Sequence, residues 1–350
     1  MLAGLFHTWE RRLHAVSKDR VVRPFEWGLD WIEPNGARPG ASPEQLLLDW
    51  ASQAVRNSQQ FFDIPVTSDF TFRPGVDGAT GALSFPSAMH TPYRENNTVH
   101  ALYFRAGADP ALRTRAVSPR RAVLVLPQWN AGADGHIGLC RLLNRFGMSA
   151  LRLSLPYHHA RRPAELTRAD YIVSANIGRT VQACRQAVMD ARRAIAWLAG
   201  QGYERIGILG TSLGSCLSLL TAAHEPLVQA QALNHISPYF ADVVWRGLST
   251  SHVRESLEGA IDLERLRALW LPISPQVYLD RVRGKKTLLI YARYDLTFPV
   301  DLSRNLVAEF ERRGITHEVA VLPCGHYSTG LTPFKYLDGF WLARFLDRNL

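Results

Sequence analysis

The chain lacks most of the features that mark a specialised class. It has only four cysteines in 350 residues. Cys140, Cys184, Cys216 and Cys324 are widely spaced and form no C-x-x-C pair, which excludes a disulfide framework and a thiolate zinc site and leaves them as small core residues. No apolar run reaches the ~18 residues of a membrane-spanning helix. Lys and Arg exceed Asp and Glu by 40 − 31 = 9, yet the positive charges are dispersed. With no basic stripe interleaved with aromatics, no nucleic-acid partner is expected. Neither G-x-G-x-x-G nor G-x-x-x-x-G-K-[ST] occurs, so nicotinamide and nucleotide cofactors are not expected either. The start, MLAGLFHTWERRLH, is broken by His7, Glu10, Arg11 and Arg12 and is followed by no small-residue cleavage site. It does not read as a signal peptide, and a cytoplasmic location is expected. No repeat or low-complexity segment is visible.

What is present is an ordinary soluble composition, 47% hydrophobic and 20% charged, long enough to bury about three quarters of its extended-chain surface. Residues 1–20 place Leu2, Leu5, Phe6, Trp9, Leu13 and Val16 on one helical face. A helix packed on its own domain is favoured over one that touches lipid. Residues 21–42, with Pro24, Pro34 and Pro39, read as irregular chain. Ser42-Pro43-Glu44-Gln45 then starts a helix running to about Gln59, with Ser42 as cap and Pro43 in the first turn. Residues 1–66 thus form an N-terminal helical extension.

From residue 67 the pattern changes. Asp69–Phe72, Ala82–Phe85 and Val99–Phe104 read as strands of an antiparallel entry to a sheet. A β/α alternation follows. Strands fall at Ala122–Leu126, Ala150–Leu155, Arg205–Leu209, Gln229–His235, Lys286–Tyr291 and His317–Leu322. Helices fall at Ile137–Phe146, Tyr171–Gln201, Leu213–Ala223, Asp301–Arg313 and Pro333–Leu350. This is the pattern of a mostly parallel central sheet with helices on both faces, an α/β fold. Residues 237–284 interrupt it with helix-like segments and read as an inserted lid or cap.

The strongest motif is Gly210-Thr211-Ser212-Leu213-Gly214, a G-x-S-x-G between a strand and a helix. A nucleophile on so tight a turn needs small neighbours two residues away on either side, and the following helix N-terminus suits developing negative charge. A serine hydroxyl needs a base. Asp295 and His326 follow in the order serine, acid, histidine, each just past a strand end, where sites of open α/β sheets form. Gly325 before the histidine allows a tight turn. If these three act together, the Asp295 carboxylate must lie within about 3 Å of a His326 nitrogen. One oxyanion donor should be the backbone N–H of Leu213, and a second should come from the turn Leu126–Gly132. His235, at a strand end, is a rival base with no glycine-relieved turn before it. His158-His159 with Arg161-Arg162 reads equally well as an anion-binding loop or a solvated one. The two adjacent histidines make a poor metal pair, and Asp134 with His136 lacks a third ligand, so no metal is expected.

The elbow at Gly210–Gly214, the D-x-x-x-P at Asp295–Pro299 and Gly325-His326 resemble the α/β-hydrolase superfamily over residues 67–350. The look is nearest to its dienelactone-hydrolase and acetyl-esterase-like branches. That family carries His-Gly in the early turn. Here Pro127-Gln128 stands in its place, so the resemblance implies Trp129 as the second oxyanion donor, with Gln128 as the alternative. It further implies a cofactor-independent serine esterase acting on a small-molecule ester, with Ser212, His326 and Asp295 as nucleophile, base and orienting acid. Tyr239, Phe240, Trp245 and Trp270 of the insertion would wall its pocket. An acyltransferase using the same residues and a non-catalytic binding protein of this fold are the alternatives.

Overall fold

The computed structural model describes residues 2–32, 40–107 and 119–350; Pro34 and Pro39 lie outside them. The N-terminal segment holds α1 (Leu2–His14), α2 (Pro43–Arg56) and the single turn α3 (Ser58–Phe61). Ser42 Oγ accepts from Gln45 N at 3.2 Å and Pro43 occupies the first turn of α2, as the capping signature requires.

β1 (Thr71–Pro74), β2 (Thr80–Pro86) and β3 (Thr98–Phe104) form an antiparallel entry. The first strand sits two residues later than the sequence suggests. Its register is fixed by the turn that follows, where Asp77 Oδ1 accepts from Ala79 N, Thr80 N and Thr80 Oγ1. β4 (Arg121–Leu126), α4 (Ile137–Arg145), β5 (Ser149–Leu153), α5 (Ile177–Gly200), β6 (Arg205–Thr211), α6 (Leu213–His224) and β7 (Val228–Asn234) come next. The order across the nine-stranded sheet is β1-β2-β3-β5-β4-β6-β7, then β8 (Lys286–Ala292) and β9 (Glu318–Leu322), and every pair from β5 onward is parallel. In β4, Ala122, Leu124 and Leu126 join one core and Val123 and Val125 the other. That is why the run is apolar without alternation. α5 and α6 pack on the first face; α4 and the closing helix pack on the second.

α5 starts at Ile177, not near Tyr171. Asn176 caps it, accepting from Arg179 N at 2.9 Å. The residues before it are drawn into pairing with the N-terminal segment instead, through Glu26 N to Ala175 O and Ile177 N to Glu26 O.

Residues 237–284 contain α7 (Phe240–Arg246), α8 (Ser251–Leu257), α9 (Leu263–Leu269) and a 3₁₀ segment, Pro275–Val282, that packs on α6. α2 packs on α9 and on the turn Leu271–Ile273. The chain closes with α10 (Val300–Arg312) and α11 (Phe334–Asn349). No helix among the described residues is long and apolar enough to cross a membrane.

Candidate active site

β6 ends at Thr211 and α6 begins at Leu213, so Ser212 alone makes the turn. It adopts φ 56° and ψ −118°, a region that ordinary side chains avoid and that costs about 1–3 kcal/mol. Three devices hold it there. Ser212 N donates to Asn234 O at 2.7 Å, and Ser215 Oγ donates to Ser212 O at 2.6 Å. A Cβ on Gly210 would strike the backbone of Gly214, and one on Gly214 would strike the carbonyls of Leu126 and Pro127. The glycines therefore serve close backbone approach. Ser212 lines a cavity of about 990 Å³ and makes no side-chain hydrogen bond among the described residues.

Asp295 follows β8 and is buried. Its Oδ1 accepts from Thr297 N at 2.8 Å and Phe298 N at 2.7 Å, and its Oδ2 accepts from His326 Nδ1 at 3.0 Å. Burial opposes its charge, but the neighbouring His326 and His235, and the hydrogen bond from His326, outweigh burial and hold its pKa far below the usual carboxylate range. The carboxylate can only accept, so Nδ1 of His326 carries the proton and Nε2 is left as an acceptor. His326 lines the same cavity as Ser212. Burial lowers its pKa, but the charges of Asp295 and Glu10 prevail and raise it above the ordinary imidazole value.

The rival base is close by. His235 Nδ1 lies 2.9 Å from the same Asp295 oxygen, but in a direction that gives no hydrogen bond. Burial lowers its pKa. His235, Asp295 and His326 place one donor atom each within 4.8 Å of the others, the only such grouping among the described residues. A cation there would have to displace the Asp295–His326 hydrogen bond.

The turn after β4 runs beside the elbow, and Gln128 and Trp129 both line the cavity. Among the described residues the backbone N–H groups of Leu213, Gln128 and Trp129 have no acceptor. The turn is clamped from below. Asn130, at φ 57°, donates its N–H to His158 Nε2 at 2.9 Å, and His159 Nε2 donates to Ala131 O at 2.8 Å. Arg152 donates to the carbonyls of Gly132 and Gly135. In the loop His158–Arg162, the ring nitrogens of both histidines and the guanidinium of Arg161 are thus taken up by protein partners. His158 is buried, and Arg161 is fully buried against Asp190 at 2.8 Å. His159 is half-buried, and Ala160 and Arg162 are exposed.

Of the aromatic wall residues anticipated, Tyr239 and Phe240 line the cavity. Trp245 and Trp270 do not; Trp270 is fully buried, with Nε1 on Ile177 O at 3.3 Å. Sequence reasoning missed two carboxylates. Glu10 of α1 is fully buried and accepts from the loop bearing His326. Asp338 of α11 accepts from Asn234 Nδ2 with both oxygens, at 3.0 and 2.9 Å, and enclosure pushes its pKa up to about 7. No local signal marks either one, because their partners are more than a hundred residues away. Phe6 and Trp9 of α1 pack on Phe334, whereas Leu2 and Leu5 are exposed.

No protein-family model matches the sequence, and no curated protein matches it. Solved structures do. The acylaminoacyl peptidase of Pyrococcus horikoshii superposes with a TM-score of 0.60 at 15% identity, covering 81% of this chain and 42% of that one. The chain therefore spans less than half the length of that peptidase. Acetyl xylan esterase 1 from Thermoanaerobacterium sp. JW/SL YS485 gives 0.59 at 14% identity, covering 91% and 98%. A Pyrococcus furiosus esterase gives 0.51 at 14% identity, covering 82% and 97%. With its sheet order and crossovers, the chain has the α/β-hydrolase fold.

Proposed function

On this α/β-hydrolase fold, we propose, the chain is a serine hydrolase that cleaves a carboxylic ester through an acyl-enzyme on Ser212. The observation that carries the reading is the part-buried Asp295–His326 hydrogen bond of 3.0 Å, set in the cavity that the strained Ser212 lines. Ser212 Oγ attacks the ester carbonyl while His326 Nε2 takes its proton. Asp295 fixes the tautomer and stabilises the imidazolium. The N–H groups of Leu213 and Trp129 receive the oxyanion, and a bound substrate brings the serine and histidine into closer register than the free site. His326 then protonates the leaving alcohol, water attacks the acyl-enzyme, and the serine is regenerated.

A cavity of about 990 Å³ stands at the upper end of the ~300–1,000 Å³ usual for small-molecule sites. That supports an ester larger than an acetate. A fluorophosphonate probe is expected to label the wild-type chain at Ser212 and to leave Ser212→Ala unlabelled and folded. Labelling of the variant at another serine of the cavity would overturn the assignment.

A further inference from the structure

The loop that carries His326 is held by a residue 316 positions earlier in the chain. Glu10 of α1 is 0% exposed. Its Oε2 accepts from Tyr327 N at 2.7 Å, and its Oε1 accepts from Ser328 N at 3.0 Å and from Ser328 Oγ at 2.7 Å. Ser328 Oγ accepts in turn from Gly325 N at 2.8 Å. Every N–H in this chain of bonds belongs to the loop; the carboxylate takes those of Tyr327 and Ser328 directly and reaches that of Gly325 only through Ser328 Oγ. A buried carboxylate with three donors is charge-assisted and directional.

Gly325 reports the same closeness. Its φ is not positive, so the glycine is not there for a left-handed turn. A Cβ at that position would run into the Glu10 side chain. The helix is seated by rings as well: Phe6 stacks on Tyr294 at 4.5 Å, one residue before Asp295, and His14 packs edge-on to Tyr327.

We propose that Glu10 is a positioning residue of the active site, holding His326 in register with Ser212 and Asp295, so that the N-terminal helix is part of the catalytic assembly. This rests on the reading of Ser212 and His326 given above. The charged or titratable groups around His326 are Asp295 from the segment after β8, His235 after β7, Tyr327 on its own loop and Glu10 from α1. Of these, Asp295 and Glu10 favour the imidazolium. Removing the Glu10 charge therefore lets His326 lose its proton at lower pH.

Glu10→Gln is the informative variant. It keeps the shape but sets an amide NH₂ against one of the three donors. Turnover per fluorophosphonate-titrated site separates the chemistry from any loss of folded protein. The expected result is kcat lower by about tenfold or more, because small misplacement of a base is costly, with KM changed less than about twofold. The acid limb of kcat/KM should move to lower pH, a displacement that a purely structural role would not produce. Glu10→Gln with wild-type kcat and a wild-type acid limb overturns the proposal. Should the variant not accumulate as folded protein, hydrogen exchange on the wild-type chain decides instead. Protected amides at Tyr327 and Ser328 support the clasp, and amides exchanging at the rate of an open loop overturn it. Ser212→Ala measured alongside keeps the two ideas apart. Loss of activity there with an unaffected Glu10→Gln overturns the clasp alone, and persistent activity in Ser212→Ala overturns the hydrolase reading and the proposal together.

Discussion

His158 has room for one tautomer only. Its Nδ1 faces the carbonyl of Pro156 at 2.9 Å, which can only accept. Its Nε2 faces the N–H of Asn130 at 2.9 Å, which can only donate. Nδ1 therefore carries the proton and the ring is neutral. Burial drives its pKa down to about 3, so it stays neutral wherever the protein is folded and active. With His326 as the proposed base, whose pKa is raised, activity should grow as pH rises through a value above that of a free imidazole. The bond to Asn130 steadies the turn whose Trp129 N–H is the proposed oxyanion donor. His158→Leu should lower kcat by about 10²-fold, the scale of losing one oxyanion donor, with a small change in KM. His158→Gln, which keeps an acceptor at the same reach, should recover most of the loss. Steady-state kinetics on the two variants check this, and equal damage in both would refute it.

Among the elements, α4, α7 and α11 shape the cavity. Leu142 and Phe146 flank α4's side of it, Phe240 and Val243 line α7's side, and Tyr336 and Phe340 line α11's. Such a wall gains from each methylene it buries, about 0.8 kcal/mol apiece. On p-nitrophenyl esters of rising chain length, kcat/KM should climb from acetate to octanoate by more than about tenfold. Val243→Phe should move the optimum back toward acetate; a flat series for both proteins would count against the apolar wall as the selector. Which elements exist was legible in the sequence, since strand and helix periods differ. Their edges were less so. The helix expected from Tyr171 starts at Ile177 because Asn176 caps it and Glu26 claims the residues before it. No periodicity within 171–176 carries that information.

At the scale of the molecule, the last helix is tied to the elbow. Asp338 of α11 holds Asn234, and the carbonyl of Asn234 accepts the N–H of Ser212. Asp338 keeps its proton up to a pKa of about 7, against about 3.9 in an unfolded chain. The folded state binds the proton more tightly, so stability falls as pH rises from about 4 to about 7 and stays lower above that. Asp338→Asn removes this dependence and gives the unpartnered Asn234 Oδ1 an amide to pair with. Thermal melts should show the variant gaining on wild type at pH 8.5 and gaining less, or nothing, at pH 5. The same gain at both pH values would place the effect outside this titration.

The sequence by itself determined the alternation of strands and helices, the elbow with its two glycines, and the order of Ser212, Asp295 and His326. These are local matters: period, backbone freedom, and position after a strand end. It also placed Ser42 as a helix cap, because the cap bond spans three residues. Only the tertiary structure decided what crosses the chain. It gave Gly325 to Glu10 rather than to a turn, and set His158 and His159 against the turn after β4. It buried Arg161 on Asp190 and brought His235 against the same carboxylate as His326. A buried polar group must find a partner or cost several kcal/mol, but nothing in that requirement fixes where along the chain the partner lies. Sequence distance is silent on it, and the packing of the helices on the sheet chose each pair.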